Sequence, residues 1–165
     1  MIIIGIDPGL QTLGYGILEV FPQKKEKIEV IDFGCIITDS FLPAGERLKK
    51  IHKELSSLIK KYGPDLVSVE SLFFFKNLKT VMPVSQAKGV VLLVAAQNKL
   101  PVLEFTPLQV KMAIAGYGRA EKKQVQEMIK KTVCLDDFDL KKNYRKKDDA
   151  FDALGVAICA YLKAY

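Results

Sequence analysis

The first apolar run, Ile2-Ile3-Ile4-Gly5-Ile6, ends on Asp7 and is cut off by Pro8-Gly9. It reads as a buried strand followed by a turn. A strand that is apolar without alternation needs cover on both faces, so the rest of the chain has to supply it. Leu13 to Val20 and Ile28 to Thr38 read as two further strands, the latter rich in β-branched residues. The polar segment Phe21 to Lys27 between them suits a hairpin, which makes the first three strands a meander. Pro43 to Tyr62 then carries Leu48, Ile51, Leu55, Leu58, Ile59 and Tyr62 at helical spacing and stops at Gly63-Pro64. Leu66 to Glu70 and Val102 to Phe105 are strands. Between them lies an apolar helix over Lys79 to Lys99, expected to break near Pro83. Helices over Leu108 to Ala115, Glu121 to Thr132 and Asp148 to Tyr161 complete the chain.

Strands separated by helices join a sheet in parallel through crossovers. The expected fold is therefore α/β: a mixed five-stranded sheet, three antiparallel strands plus parallel ones, with helices on both faces. The 165 residues, 49% of them hydrophobic and 27% charged, suit one domain over 1–165 and exclude a disordered chain. No apolar run reaches the ~20 residues of a membrane helix. The first residues lack the basic and small-residue features of a signal peptide, so none is expected. Cys35, Cys134 and Cys159 are scattered and odd in number, which suits reduced thiols in a cytoplasmic protein rather than a zinc site. His52 reads as a surface or boundary residue of its helix.

The positive charge is concentrated. Residues 111–147 hold eleven Lys or Arg against five Asp or Glu, while the remaining residues carry 14 of each sign. Such asymmetry points to a polyanion, nucleic acid first, against the plainer reading of a solvated lysine-rich surface. The run Lys141 to Lys147 reads as a basic loop with Tyr144 in it.

Two strands run straight into acids, Asp7 and Glu70. Parallel neighbours would bring both to one rim of the sheet, where crossover folds place their sites. Like charges that close call for a cation, and hard oxygen donors select Mg²⁺ or Mn²⁺. The last helix opens Lys147-Asp148-Asp149-Ala150-Phe151-Asp152. Asp149 shares a face with Asp152 at i,i+3, and Asp148 shares one at i,i+4, so spacing leaves the choice open. Helix capping accounts for Asp148 and Asp149 without any site. It does not account for Asp152, which heads an apolar run. Four converging carboxylates can hold two divalent ions ~3.5–4 Å apart, a device for phosphodiester hydrolysis. No GxSxG, Walker A or HExxH offers another chemistry.

These motifs resemble the RuvC crossover junction endonucleases. Gly5-Ile6-Asp7-Pro8-Gly9 with Gly14-Tyr15-Gly16 resembles the family's opening, and Glu70-Ser71-Leu72-Phe73 with Asn77 its second acidic segment. Ser85 to Val90, Pro107 to Lys111, Gly116 to Val125 and Asp149 to Ala157 resemble further segments, in order and with family-like spacing. The resemblance implies a ribonuclease H-like fold, a homodimer, two Mg²⁺ per site with Mn²⁺ as substitute, and resolution of four-way (Holliday) DNA junctions by paired symmetric nicks. It also implies association with a branch-migration motor. It assigns metal binding and catalysis to Asp7, Glu70, Asp149 and Asp152, which selects Asp149 over Asp148. It assigns DNA binding to Phe73, Lys76, Asn77, Lys88, Lys111, Arg119, Lys122 and Lys123.

Lys111 and Lys122 match lysines used near the scissile phosphate. Lys88 stands where the family usually has arginine. Phe73 matches an aromatic that stacks on a base, a contact worth ~1–3 kcal/mol; Phe74 is expected to pack inside. The dimer surface is expected on the helix Val81 to Leu100, with Val84, Ala87, Val91 and Val94 as candidates and core packing an equal alternative for each. Three other readings compete. An actin-like kinase needs two lobes, and 165 residues are short for that. A relative cutting RNA or single strands, and a non-catalytic junction binder, are the others; four acids gain a pure binder nothing against phosphate.

Overall fold

The computed structural model describes residues 1–21, 28–71, 78–133 and 147–164, with the main chain alone at 78–80, 147 and 164. Ten elements follow one another: β1 (Ile2–Asp7), β2 (Thr12–Val20), β3 (Ile28–Ile37), α1 (Ala44–Tyr62), β4 (Leu66–Glu70), α2 (Leu78–Gln97), β5 (Val102–Phe105), α3 (Pro107–Ala115), α4 (Lys122–Thr132) and α5 (Lys147–Ala164). The sheet order is β3-β2-β1-β4-β5. β2 is antiparallel to β1 and β3, whereas β4 is parallel to β1 and β5. The expected mixed sheet is thus the observed one. Its strands begin and end within a residue of the sequence reading. α2 differs: it runs through Pro83 without a break. A proline removes one N–H and so interrupts one rung of the helix ladder; the apolar packing of the turns after it holds this helix together.

Alternation along β1 splits its side chains between two cores. Ile4 and Ile6 face α1 and α2, where Ile51, Leu55, Ile59, Val91 and Val94 cover them. Ile3 faces the other way, toward α3, α4 and α5. The burial of β1 on both faces is what its unbroken run of isoleucines demands.

α5 lies between the sheet and a second layer made by α3 and α4. From Ala153 to Ala160 it is fully buried at nearly every side chain. On its sheet side it touches glycines. A β-carbon on Gly5 would lie 2.7 Å from the Ala157 nitrogen and nearer still to the Ala153 carbonyl oxygen. One on Gly14 would overlap the Asp149 carbonyl. Only glycine admits the helix backbone this close to the strands. On the far side, Ile114 and Ile129 pack against Gly155. Buried Ser68 ties sheet to helix, its hydroxyl donating to the Val156 carbonyl oxygen at 2.9 Å.

The helix borders place the basic residues. Thr106 and Gln109 cap α3 reciprocally, with Pro107 in the first helical position. Gly116, at φ 68°, ends α3 in the left-handed region that favours glycine. Glu121 and Gln124 make the same reciprocal cap for α4, which sets Lys122 at the first turn. Among the described residues no helix is long and apolar enough to cross a membrane. Cys35 and Cys159 are in no disulfide among the described residues; Cys134 lies outside them. His52 sits at a boundary, its Nε2 3.0 Å from Gln97 Oε1, which joins α1 to α2.

Candidate active site

β1 and β4 are adjacent and parallel, in register from Ile3 with Leu66 to Ile6 with Val69. Their last residues, Asp7 and Glu70, therefore end at the same rim of the sheet. Ile6 and Val69, one step earlier, belong to the core under α1 and α2. Alternation turns Asp7 and Glu70 to the opposite face, under the start of α5. Asp7, Asp149 and Asp152 come together there, each offering a carboxylate oxygen within 4.8 Å of the others. Among the described residues this is the group able to hold a metal ion.

The electrostatics show how crowded the rim is. Burial raises the Asp7 carboxyl well above its ordinary range, and Glu70, Asp152 and Asp149 raise it further; Lys122 pulls against them. Burial, followed by the charge of Asp152, lifts Glu70 to about 7, opposed by Lys122 and Lys111. Acids raised by desolvation and by one another release their protons readily only when a cation compensates them. Their donor set is all hard carboxylate oxygen, which suits a divalent cation of the Mg²⁺ class.

Lys122 reaches across from α4. Its Nζ donates to Asp152 Oδ2 at 2.9 Å and lies 3.5 Å from Asp148 Oδ2. Burial disfavours its charge, but the hydrogen bond and charge of Asp152 outweigh this and hold the ammonium above its usual value. Gln126, one turn on, donates to Asp148 Oδ1 at 3.0 Å. That bond, with Lys122, keeps the Asp148 carboxyl below its ordinary range. The two aspartates that spacing left open are therefore separated by α5's seating. Asp149 turns to the acidic cluster and Asp148 turns to α4.

Lys111, on α3, donates to the Ala120 carbonyl oxygen at 2.7 Å and exerts its charge on Glu70. Arg119 and Lys123 are exposed. Lys88, an expected DNA contact, lies on α2. It is mostly buried and forms an ion pair with Glu104. Phe73, Phe74, Lys76, Asn77 and the run Lys141 to Arg145, with Lys146, lie outside the described residues, as does the side chain of Lys147.

Of the two readings open for the α2 candidates, burial selects core packing for three of them. Ala87, Val91 and Val94 are fully buried in the core against the sheet and α1, and Val84 is half-buried. The exposed side of α2 carries Met82, Gln86, Gly89, Leu93 and Ala96 instead. Sequence reasoning also missed Glu104, which pairs with Lys88 and Ser71, and Gln126, which bonds Asp148. The one available signal was Glu104, a charge inside an otherwise apolar strand.

The comparisons agree with this geometry. The family model described as crossover junction endodeoxyribonuclease RuvC matches residues 3–160. The crossover junction endodeoxyribonuclease RuvC of Halothermothrix orenii is 48% identical over 159 residues, covering 96% of this chain and 91% of that protein. That of Thermosipho melanesiensis is 49% identical over 159 residues, covering 96% of each. The structure of Thermus thermophilus RuvC in complex with a Holliday junction substrate superposes with a TM-score of 0.86 at 32% identity, covering 99% of this chain and 94% of that one. The fold is ribonuclease H-like, as the resemblance implied.

Proposed function

The chain belongs to the RuvC family of crossover junction endodeoxyribonucleases, and from that premise we propose that it resolves four-way DNA junctions by hydrolysing one phosphodiester bond in each of two opposed strands. The observation that carries the reading is the convergence of Asp7, Asp149 and Asp152 on one rim, with Glu70 beside them and the charge of Lys111 and Lys122 over them.

Asp7, Glu70, Asp149 and Asp152 would hold two Mg²⁺ ions, with Mn²⁺ as substitute; when bound, such ions supply an activated water and offset charge on the scissile phosphate. The chain's own side chains do the rest. Lys122 already neutralises Asp152, and an arriving phosphate competes for that same ammonium. Lys111 is held by the Ala120 carbonyl, so its charge is positioned in advance rather than recruited from a free rotamer. Arg119 and Lys123 extend the positive surface along the backbone of the substrate. Phe73, Lys76 and Asn77 directly follow Glu70 and are assigned to bases and phosphates near the cut.

A two-fold junction calls for a two-fold enzyme. The exposed stripe on α2, Met82, Gln86, Gly89, Leu93 and Ala96, is the proposed surface between two copies. Its residues recur at i, i+4, i+7, i+11 and i+14, and a β-carbon on Gly89 would meet open space. A branch-migration motor is a further partner in this reading, and the compartment is the cytoplasm.

The test is a synthetic immobile four-way junction, each strand labelled in turn, with several core sequences. Paired, symmetric nicks that require Mg²⁺ and are confined to the junction are the expected result. Cutting of single strands or RNA would move the chain to another activity of the same fold. Tight junction binding without any cutting would make it a binding module.

A further inference from the structure

Lys88 projects from α2 toward the end of β5. Its side chain is 16% exposed, and its Nζ is bonded to Glu104 Oε2. The same carboxylate oxygen accepts the Ser71 hydroxyl at 3.2 Å. Ser71 is the residue after Glu70, and its N–H donates to the Phe105 carbonyl oxygen at 2.7 Å. The end of β4 is thus held twice at one residue, by the main-chain ladder and by its side chain.

Register shows on which face this happens. Val69 pairs with Glu104, and Glu70 pairs with Phe105. Val69 lies in the core under α1 and α2, and Phe105 lies in the core under α5. Glu104 and Lys88 therefore sit below the sheet, and the acids sit above it. A phosphate on the acidic face can draw on Lys88 only by pulling its largely buried ammonium away from Glu104 and through the sheet.

We propose that Lys88 is a positioning residue: through Glu104 and Ser71 it fixes the strand end that presents Glu70 to the metal-binding cluster, and it does not contact DNA. The inference rests on the function proposed above for its view of Glu70 as a ligand. An ion pair bridging two elements selects one geometry where a single hydroxyl contact would allow several. Outer partners of this kind commonly change metal affinity when removed. Arginine can make the same pair, bidentately, which agrees with the residue the family usually carries there.

The experiment titrates Mn²⁺ into the full chain without DNA, followed by paramagnetic resonance, and measures junction affinity separately in chelator. Lys88→Met and Ser71→Ala are expected to weaken Mn²⁺ binding about tenfold. Lys88→Arg is expected to stay within about twofold of the unaltered chain, and all three are expected to keep its junction affinity. Loss of junction affinity in Lys88→Met with normal Mn²⁺ binding would make Lys88 a DNA contact and overturn the proposal. Unchanged Mn²⁺ binding in both Lys88→Met and Ser71→Ala would overturn it as well. Ser71→Ala leaves the ion pair intact, so it decides the matter alone if Lys88→Met does not fold. Junction cutting by the unaltered chain is scored independently. A chain that cuts while both variants bind Mn²⁺ normally refutes the positioning role and leaves the function standing.

Discussion

Replacing Gly5 with alanine puts a methyl group 2.7 Å from the Ala157 nitrogen and closer still to the Ala153 carbonyl oxygen. Both are backbone atoms of a buried helix, so no rotamer change can relieve the overlap. Ordinary carbon contacts lie at roughly 3.5–4 Å, so α5 has to move off β1 by about 1 Å. Overpacking of this kind costs about 1–3 kcal/mol, and the rigid neighbours place this case near 3. For a chain of this size that is a fall in Tm of roughly 6–12 °C. The same displacement carries Asp149 and Asp152 away from Asp7. A misplacement of about 1 Å costs about 100-fold in rate, so the folded variant should cut junctions about two orders of magnitude more slowly. The assay is single-turnover cleavage well below the variant's Tm, with calorimetry alongside. Gly45→Ala is the control, since a β-carbon there meets nothing within 4 Å; it should cut normally and melt no lower. A Gly5→Ala chain that keeps both its Tm and its cutting rate would refute the idea that backbone approach sets the site.

Three other outcomes follow from the same geometry. Asp7→Asn should lower cutting by several orders of magnitude while keeping or improving junction binding, measured by gel shift in chelator; lost binding would indicate a structural role. Without metal, the raised Glu70 and Asp7 pKa values mean that the folded state holds protons the unfolded chain has released. Stability must then fall as pH rises from the ordinary glutamate value of 4.5 toward about 7. Between pH 5.5 and 7 the Glu70 share is about 2 kcal/mol, read as a lower Tm at the higher pH in chelator, and saturating Mg²⁺ should remove the difference. Leu93→Glu, at a site 51% exposed, should leave Tm within a few degrees but shift a dimer toward monomer in sedimentation; an unchanged dimer would move the interface off α2.

Much of this architecture was legible because the chain punctuates its elements sharply. Asp7-Pro8-Gly9, Gly63-Pro64 and Thr106-Pro107 stop a strand, a helix and a strand at the places the structure stops them. Both strand-end acids could be placed on one rim once β1 and β4 were taken as parallel neighbours. α2 was harder for a physical reason. It is apolar nearly all round, so no polar stripe marks which side meets its own sheet. Ala87, Val91 and Val94 form one apolar line and Met82, Gly89 and Leu93 another, and only tertiary packing assigns the first to the core. Asp148 and Asp149 posed the same difficulty on α5, where one residue of rotation separates a salt bridge to α4 from a place in the acidic cluster. Lys122 and Asp152 meet across the chain, as do Lys88 and Glu104, and such pairings leave no periodic trace in a sequence.

The close seating of α5 on its glycines has a consequence for the life of the chain. Asp7 is made well before Asp149 and Asp152. At roughly 5–20 residues per second, a nascent chain spends on the order of ten to thirty seconds with the first strand complete and its partner helix still unsynthesised. During that time β1 exposes, at Gly5, a groove of bare backbone and, at Asp7, an acid with no cluster to join. An acidic cluster split this way between distant stretches of one polypeptide cannot assemble until α5 has been made. A fragment that stops before α5 holds Asp7 without Asp149 and Asp152.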